Sequence, residues 1–142
     1  MQTGKDCIGV GVGAAIRRED GRFFLAKRGA KVRNEVGVWE FPGGGLEFGE
    51  TLGAAIIRET KEEYGMQIKV NELVGVSDCI LAEEGQHWVS VGYLCSLNSG
   101  EPRIREPDKC TEIGWFTLEE IGRISLNTPS QYELQLLLRK SL

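Results

Sequence analysis

Residues 43–65, GGGLEFGETLGAAIIRETKEEYG, limit what this chain can fold into more than any other stretch. Three glycines lead towards Thr51–Tyr64, which reads as a helix, and Gly65 supplies the left-handed cap that stops it. With each residue advancing about 100° around the axis, Glu62 and Glu63 fall within about 60° of Glu59. Leu52, Ala55 and Ile56 lie on the same stripe, nearer the N-terminus. The carboxylates therefore continue the face that should turn towards the protein body, whereas a merely solvated acidic face belongs on the other side. Like charges at this spacing repel by about a few tenths of a kcal/mol per pair. A divalent cation offsets that repulsion and takes hard oxygen ligands, while Arg58 neutralises only part of the cluster. The glycines ahead of the helix allow a sharp turn and close backbone approach, so a main-chain carbonyl there can join a metal shell. Glu50 would lie opposite Glu59 on an ideal helix, which predicts a bracing role rather than shared ligation.

Elsewhere the chain alternates strand and turn signals. Ile8–Ile16 places Ile8, Val10, Val12, Ala14 and Ile16 on alternate positions, with Gly9, Gly11 and Gly13 between them. That is a period-two strand with one small-residue face. The same glycines fit a loose GxGxxA dinucleotide fingerprint, but there is no room for a preceding strand. A strand that permits close backbone approach is the better reading. Asp20-Gly21 marks a turn, with Arg22–Arg28 as the hairpin partner. Residues 29–37 read as a polar loop, and Val38–Pro42 as extended, because Pro42 pushes Phe41 out of the helical region. Further strands are expected over residues 67–77, 87–96 and 111–117. A second amphipathic helix is expected over 129–142, opened by Asn127 or Thr128. Two well-separated helices among strands predict an α+β fold, an α/β/α sandwich on a mixed β-sheet. With no repeat or low-complexity linker in 142 residues, a single domain is expected.

Composition narrows the partners. A net charge of −4 does not suit a protein that tracks along nucleic-acid phosphates, although it leaves room for a small phosphorylated ligand. No apolar run reaches a bilayer span or has signal-peptide flanks, so neither a membrane nor a nucleic-acid polymer is expected as partner. Cys7, Cys79, Cys95 and Cys110 form no CxxC pair and His87 is the one histidine, which leaves a zinc site little support. Free thiols and a cytoplasmic location are expected.

Gly44, five residues, Glu50, seven residues, Arg58-Glu59, two residues, Glu62-Glu63, one residue and Gly65, followed by apolar Met66, resemble the Nudix box in full. Thr60 is the one departure, where the pattern prefers an apolar side chain. The resemblance implies the Nudix α/β/α sandwich and Mg²⁺-dependent cleavage of a phosphoanhydride, with Mn²⁺ as a substitute. It makes Glu62 and Glu63 metal ligands, with the Gly43 carbonyl beside them. Glu59 takes the position that binds metal or acts as general base, Arg58 orients carboxylates, and Glu50 completes the catalytic set. FLAKRGA, VWEFPGGGLEFGE, HWVSVGY and EPDKC…EIGWFTLEEI extend the likeness to MutT-like nucleoside triphosphate pyrophosphohydrolases over most of the chain. By that likeness Arg28 contacts phosphate, Phe41 borders the base pocket and Asn127 reads a base edge, for which an Asn amide is chemically suited. One further acid from a late loop is implied, and Glu106, Asp108 and Glu112 all remain candidates.

The expected substrate is a small nucleotide, a canonical or modified triphosphate cut to monophosphate and pyrophosphate, by a monomer or homodimer. ADP-ribose, a sugar nucleotide or a prenyl diphosphate is the alternative within the same chemistry. A non-catalytic nucleotide-sensing module is the competing class, but such modules usually lose box carboxylates and none is missing here. His87 and the three tryptophans read as structural.

Overall fold

The computed structural model describes residues 1–32 and 34–140. Strand β1 (Gly9–Arg17) forms where period-two alternation predicts it, and Gly21, with φ +85°, turns the chain into β2 (Phe23–Arg28). Strands β3 (Trp39–Glu40) and β4 (Gly43–Gly45) follow, then helix α1 (Leu52–Tyr64). Beyond it come β5 (Gln67–Leu81), a single 3₁₀ turn (Ala82–Glu84), β6 (Gln86–Ser99) and β7 (Cys110–Phe116). Helices α2 (Leu118–Ile121) and α3 (Thr128–Leu138) complete the order. The sheet runs β3-β2-β1-β6-β5, with β4 also beside β1 and β7 also beside β2. Only β1 and β6 pair in parallel, so the sheet is mixed as expected.

Alternation along β1 and β2 splits the core into two layers. Val12, Ala14, Ile16, Phe24 and Ala26 face α1, where they pack with Ala55, Ile56, Tyr64 and Met66. Ala15, Phe23 and Leu25 face the opposite way and pack with Phe41, Ile121, Leu126 and Leu137. The result is the α/β/α sandwich, with α1 on one face and α2 and α3 on the other. Thr51 starts α1, its Oγ1 accepting from the Ala54 N–H at 3.1 Å, and Gly65 ends it at φ +74°. Thr60, the departure from the sequence pattern, is fully buried and donates its hydroxyl to the Ile56 carbonyl at 3.0 Å. A threonine thus fits an apolar position by returning its one polar group to its own helix.

Three expectations are corrected. Gly43–Gly45 is not a turn but an extended segment paired with Gly11–Gly13 of β1. Side chains are missing there because a Cβ on Gly44 would collide with the Glu59 carboxylate, and one on Gly43 with the Val12 carbonyl. The long hairpin β5–β6 extends past both expected strands, and a Thr117–Glu120 capping box starts the unexpected α2. Helix α3 stops at Leu138 rather than running to Leu142, and residues 141 and 142 lie outside the described residues. Asn127 caps it, accepting from the Ser130 N–H at 3.2 Å. Among the described residues no helix is long and apolar enough to cross a membrane.

On the α3 face, the glycines of neighbouring strands stand in a row. Gly13 of β1 is in register with Gly92 of β6, and Gly92 with Gly75 of β5. A Cβ on Gly13 would lie 2.7 Å from Glu133 Oε2, and one on Gly75 would lie 2.8 Å from Leu136 Cδ1. The row lets α3 settle close to the sheet, the close approach that the glycine alternation of β1 suggests.

Candidate active site

Helix α1 presents its carboxylates at the edge of the sheet beside β4, and Arg58 organises them. Its Nε and Nη2 donate to both oxygens of Glu50 at 3.0 and 2.7 Å, a bidentate pair. Nη1 donates to Glu59 at 3.0 Å and to Glu62 at 3.3 Å, and Nη2 also reaches the Gly45 carbonyl at 3.3 Å. Glu50 lies outside the carboxylate cluster and holds the arginine from behind, as its position opposite Glu59 predicts. That pairing keeps the Glu50 carboxyl below the ordinary carboxylate range. A second Glu50 contact, accepting from the Glu47 N–H at 2.8 Å, ties the loop to the same anchor.

The three glutamates are not equivalent. Glu59 has only 15% of its side chain exposed, against 62% for Glu62. Glu63 is partly buried and lines a cavity of about 160 Å³ together with Gly43, Arg28, Glu40 and Glu106. Burial pushes its carboxyl well above the ordinary range, and the adjacent Glu59 carboxylate, then Glu40 and Glu106, push it further. Arg28 and Lys109 line the same cavity, so two cations share it with the carboxyls of Glu40, Glu63 and Glu106.

Of the late-loop acids, the structure brings Glu106 to this cavity, where it also pairs with Lys109 at 3.0 Å. Asp108 pairs with Lys31 at 3.4 Å and Glu112 with Lys27 at 3.5 Å; neither lines the cavity. Among the described residues no three carboxylates converge as a ready-made metal shell. Mg²⁺ does not require one. It takes one or two carboxylates, keeps several waters and completes its octahedron with substrate phosphate oxygens. The hard carboxyl oxygens of Glu63 and Glu106 beside an open cavity fit that ion.

A larger cavity of about 290 Å³ opens on the α3 face, floored by Gly11, Gly13, Ser90 and Gly92. Phe41 and Asn127 line it, where the sequence places a base pocket, and Arg28 reaches it as well as the smaller cavity. All three are already engaged. The Phe41 N–H donates to Ser130 Oγ at 2.9 Å. Asn127 caps α3 with its oxygen and donates its amide to Glu40 at 3.0 Å. Arg28 pairs with Glu40 at 2.7 Å and donates to the Asn34 carbonyl at 2.8 Å. The sequence singles out neither Glu40, which holds Arg28 and Asn127, nor Glu133 of α3, which nothing in its local sequence distinguishes from a surface glutamate.

The model of the NUDIX domain matches residues 8–137, nearly all of this fold. The chain belongs to the NUDIX family. A MutT NUDIX hydrolase from Burkholderia pseudomallei has the same fold, with TM-score 0.80 and 38% identity over 91% of this chain and 97% of that one. A MutT-like protein from Streptomyces ambofaciens is 32% identical over 80% of this chain and 66% of its own length. An ADP-ribose pyrophosphatase from Methanocaldococcus jannaschii is 30% identical over 79% and 64% respectively. This NUDIX domain thus spans about two thirds of the length of those two curated relatives.

Proposed function

We propose that this NUDIX domain is a Mg²⁺-dependent phosphoanhydride hydrolase that cuts a nucleoside triphosphate to the monophosphate and pyrophosphate. One observation carries the reading: Arg28, Glu40 and Gly43 line both cavities, so a nucleoside held over the glycine floor extends its phosphates to the carboxylates of α1. At about 290 Å³ the larger cavity is at the small end of ligand pockets, which span roughly 300–1,000 Å³, and suits one nucleoside. The 38% identity to a MutT NUDIX hydrolase across nearly its whole length supports the triphosphate. The relative named as an ADP-ribose pyrophosphatase supports a nucleoside diphosphate derivative as the second reading.

Glu63, Glu59 and Glu62, the Gly43 carbonyl and Glu106 would hold the metal, which would neutralise phosphate oxygens and lower the pKa of attacking water. Around it, Arg58 fixes Glu59 and Glu62, and Glu50 fixes Arg58. Glu59 would take the proton as water adds to phosphorus and the bond to the departing pyrophosphate breaks. The expected setting is cytoplasmic, with a free nucleotide as the partner. Glu63→Gln at saturating Mg²⁺ tests the assignment: kcat should fall by about 10²–10⁴-fold, and wild-type turnover would remove Glu63 from the site.

A further inference from the structure

Glu133 is one helical turn inside α3, 8% exposed, with its carboxylate over the glycine row of the sheet. It lines the larger cavity, and its Oε1 is buried without a hydrogen-bond partner. A carboxyl in such a place is expensive. An unpaired buried charge costs several kcal/mol, and its neighbours Leu134, Leu136 and Leu137 show what an ordinary core position of this helix holds. Burial alone, with no cation contributing, pushes the Glu133 carboxyl up to about 8. Gly13 and Gly92 make the room for it, since a Cβ at either would stand 2.7 to 3.0 Å from its oxygens. Three elements are thus arranged around a carboxyl whose Oε1 has no hydrogen-bond partner among the described residues.

Ser77 and Ser90 also line the cavity, while Asn127, Ser130 and Arg28 are committed elsewhere. Asn127 is held by Ser130 and Glu40, Ser130 Oγ by the Phe41 N–H, and Arg28 by Glu40 and Asn34. Gln86 Nε2 is also unpaired and lines the cavity, but it is six residues from Gly92 along β6, about 20 Å at strand rise, and is a donor. Glu133 supplies an acceptor oxygen whether or not it carries a proton.

We propose that Glu133 selects the nucleotide base, its carboxyl accepting a hydrogen bond from an exocyclic amino group of cytosine, adenine or guanine. Towards a base with a carbonyl at the same ring position the ionised carboxylate turns an acceptor to an acceptor and leaves both unpaired. The protonated carboxyl instead donates its O–H to that carbonyl, so the preference for the amino base is a property of the ionised form. The assignment rests on the reading above that the nucleoside occupies this cavity. It adds the residue that ranks the bases, a role the capping Asn127 is poorly placed to fill.

The test compares nucleotides that differ in that amino group: CTP with UTP, ATP with purine riboside triphosphate, and GTP with ITP. In the wild type above about pH 8, where the carboxyl is ionised, at least one pair should differ by about tenfold or more in kcat/KM, carried by KM. Glu133→Leu should bring that ratio close to one, and Glu133→Gln, which keeps an acceptor oxygen, should retain part of it. Calorimetric binding of the matching monophosphates without metal reads the same preference independently of turnover. Equal handling within every pair by the wild type, or an unchanged ratio in Glu133→Leu, would overturn the assignment while leaving the hydrolase reading intact. Discrimination between monophosphates in a protein that hydrolyses nothing would uphold the assignment and sink the hydrolase reading.

Discussion

On the α1 face, Arg58 makes hydrogen bonds to three glutamates and a main-chain carbonyl; on the α3 face, Glu133 is buried with one oxygen bonded to nothing. The first arrangement is pre-organised. A bidentate arginine held by Glu50 keeps the catalytic carboxylates in place before any substrate arrives. The second is incomplete, with a cavity floored by glycines and a polar group waiting for a partner. On the proposed function, the reaction chemistry draws mainly on α1 and its preceding strand, with Glu106 added from a late loop, while the larger cavity is built from β1, β5, β6 and α3. The same catalytic helix could therefore serve different pockets, which is why the identity of the box says little about the base.

The sharpest way to break this contrast is at Arg58. Arg58→Ala should lower kcat by about 10²-fold or more in a steady-state assay, since Glu59 and Glu62 lose their common anchor. Unchanged kcat would mean that the carboxylates hold position without it. Next comes linkage at Glu133, whose folded-state pKa is raised from the ordinary 4.5 to about 8. The folded protein holds a proton that the unfolded chain has released, so this contribution is fully present below pH 4.5 and lost as pH rises towards 8. The stability of Glu133→Leu relative to wild type should therefore rise between pH 5 and pH 8.5 by a few kcal/mol, at about 1.36 kcal/mol per pKa unit. A flat difference in chemical denaturation across that range would show that Glu133 is hydrated or paired in solution.

Glycine substitutions separate the two faces directly. Gly13→Ala should destabilise the fold by about 1 kcal/mol, because its Cβ meets the buried Glu133 carboxyl and makes that side chain shift. Gly44→Ala should act mainly on kcat, because its Cβ meets the Glu59 carboxyl instead. Comparing Tm and kcat for the pair checks which face each glycine serves. An equally small effect is expected at Asn127→Ala, a lost helix cap worth about 1 kcal/mol by thermal melting, with base preference largely unchanged.

The same contrast explains what the sequence reveals. The α1 face is legible because its signals are local: Gly44 to Gly65 is one continuous segment with helical spacing, and geometry alone gives Glu50 its bracing role. Strand β1 is legible by alternation, down to its small-residue face, and β2 by the Asp20-Gly21 turn that precedes it. By contrast, β4 is hidden, since three glycines have low strand propensity and pair only because β1 lies beside them. Helix α2 is hidden by its length of four residues, although its Thr117–Glu120 box is a readable signal. Glu133 is hidden more deeply, because its burial depends on Gly13 and Gly92, far from it in sequence. Glu106 emerges from the late-loop acids only when the fold brings it across from Glu63.

The most direct test incubates the protein with Mg²⁺ and canonical and oxidised nucleoside triphosphates, ADP-ribose, sugar nucleotides and prenyl diphosphates, and resolves the products by chromatography. A Glu62→Gln/Glu63→Gln double variant runs alongside. Monophosphate and pyrophosphate from a triphosphate, absent with the double variant, is the predicted result. Turnover that persists in the double variant, or no cleavage of any phosphoanhydride, would contradict it.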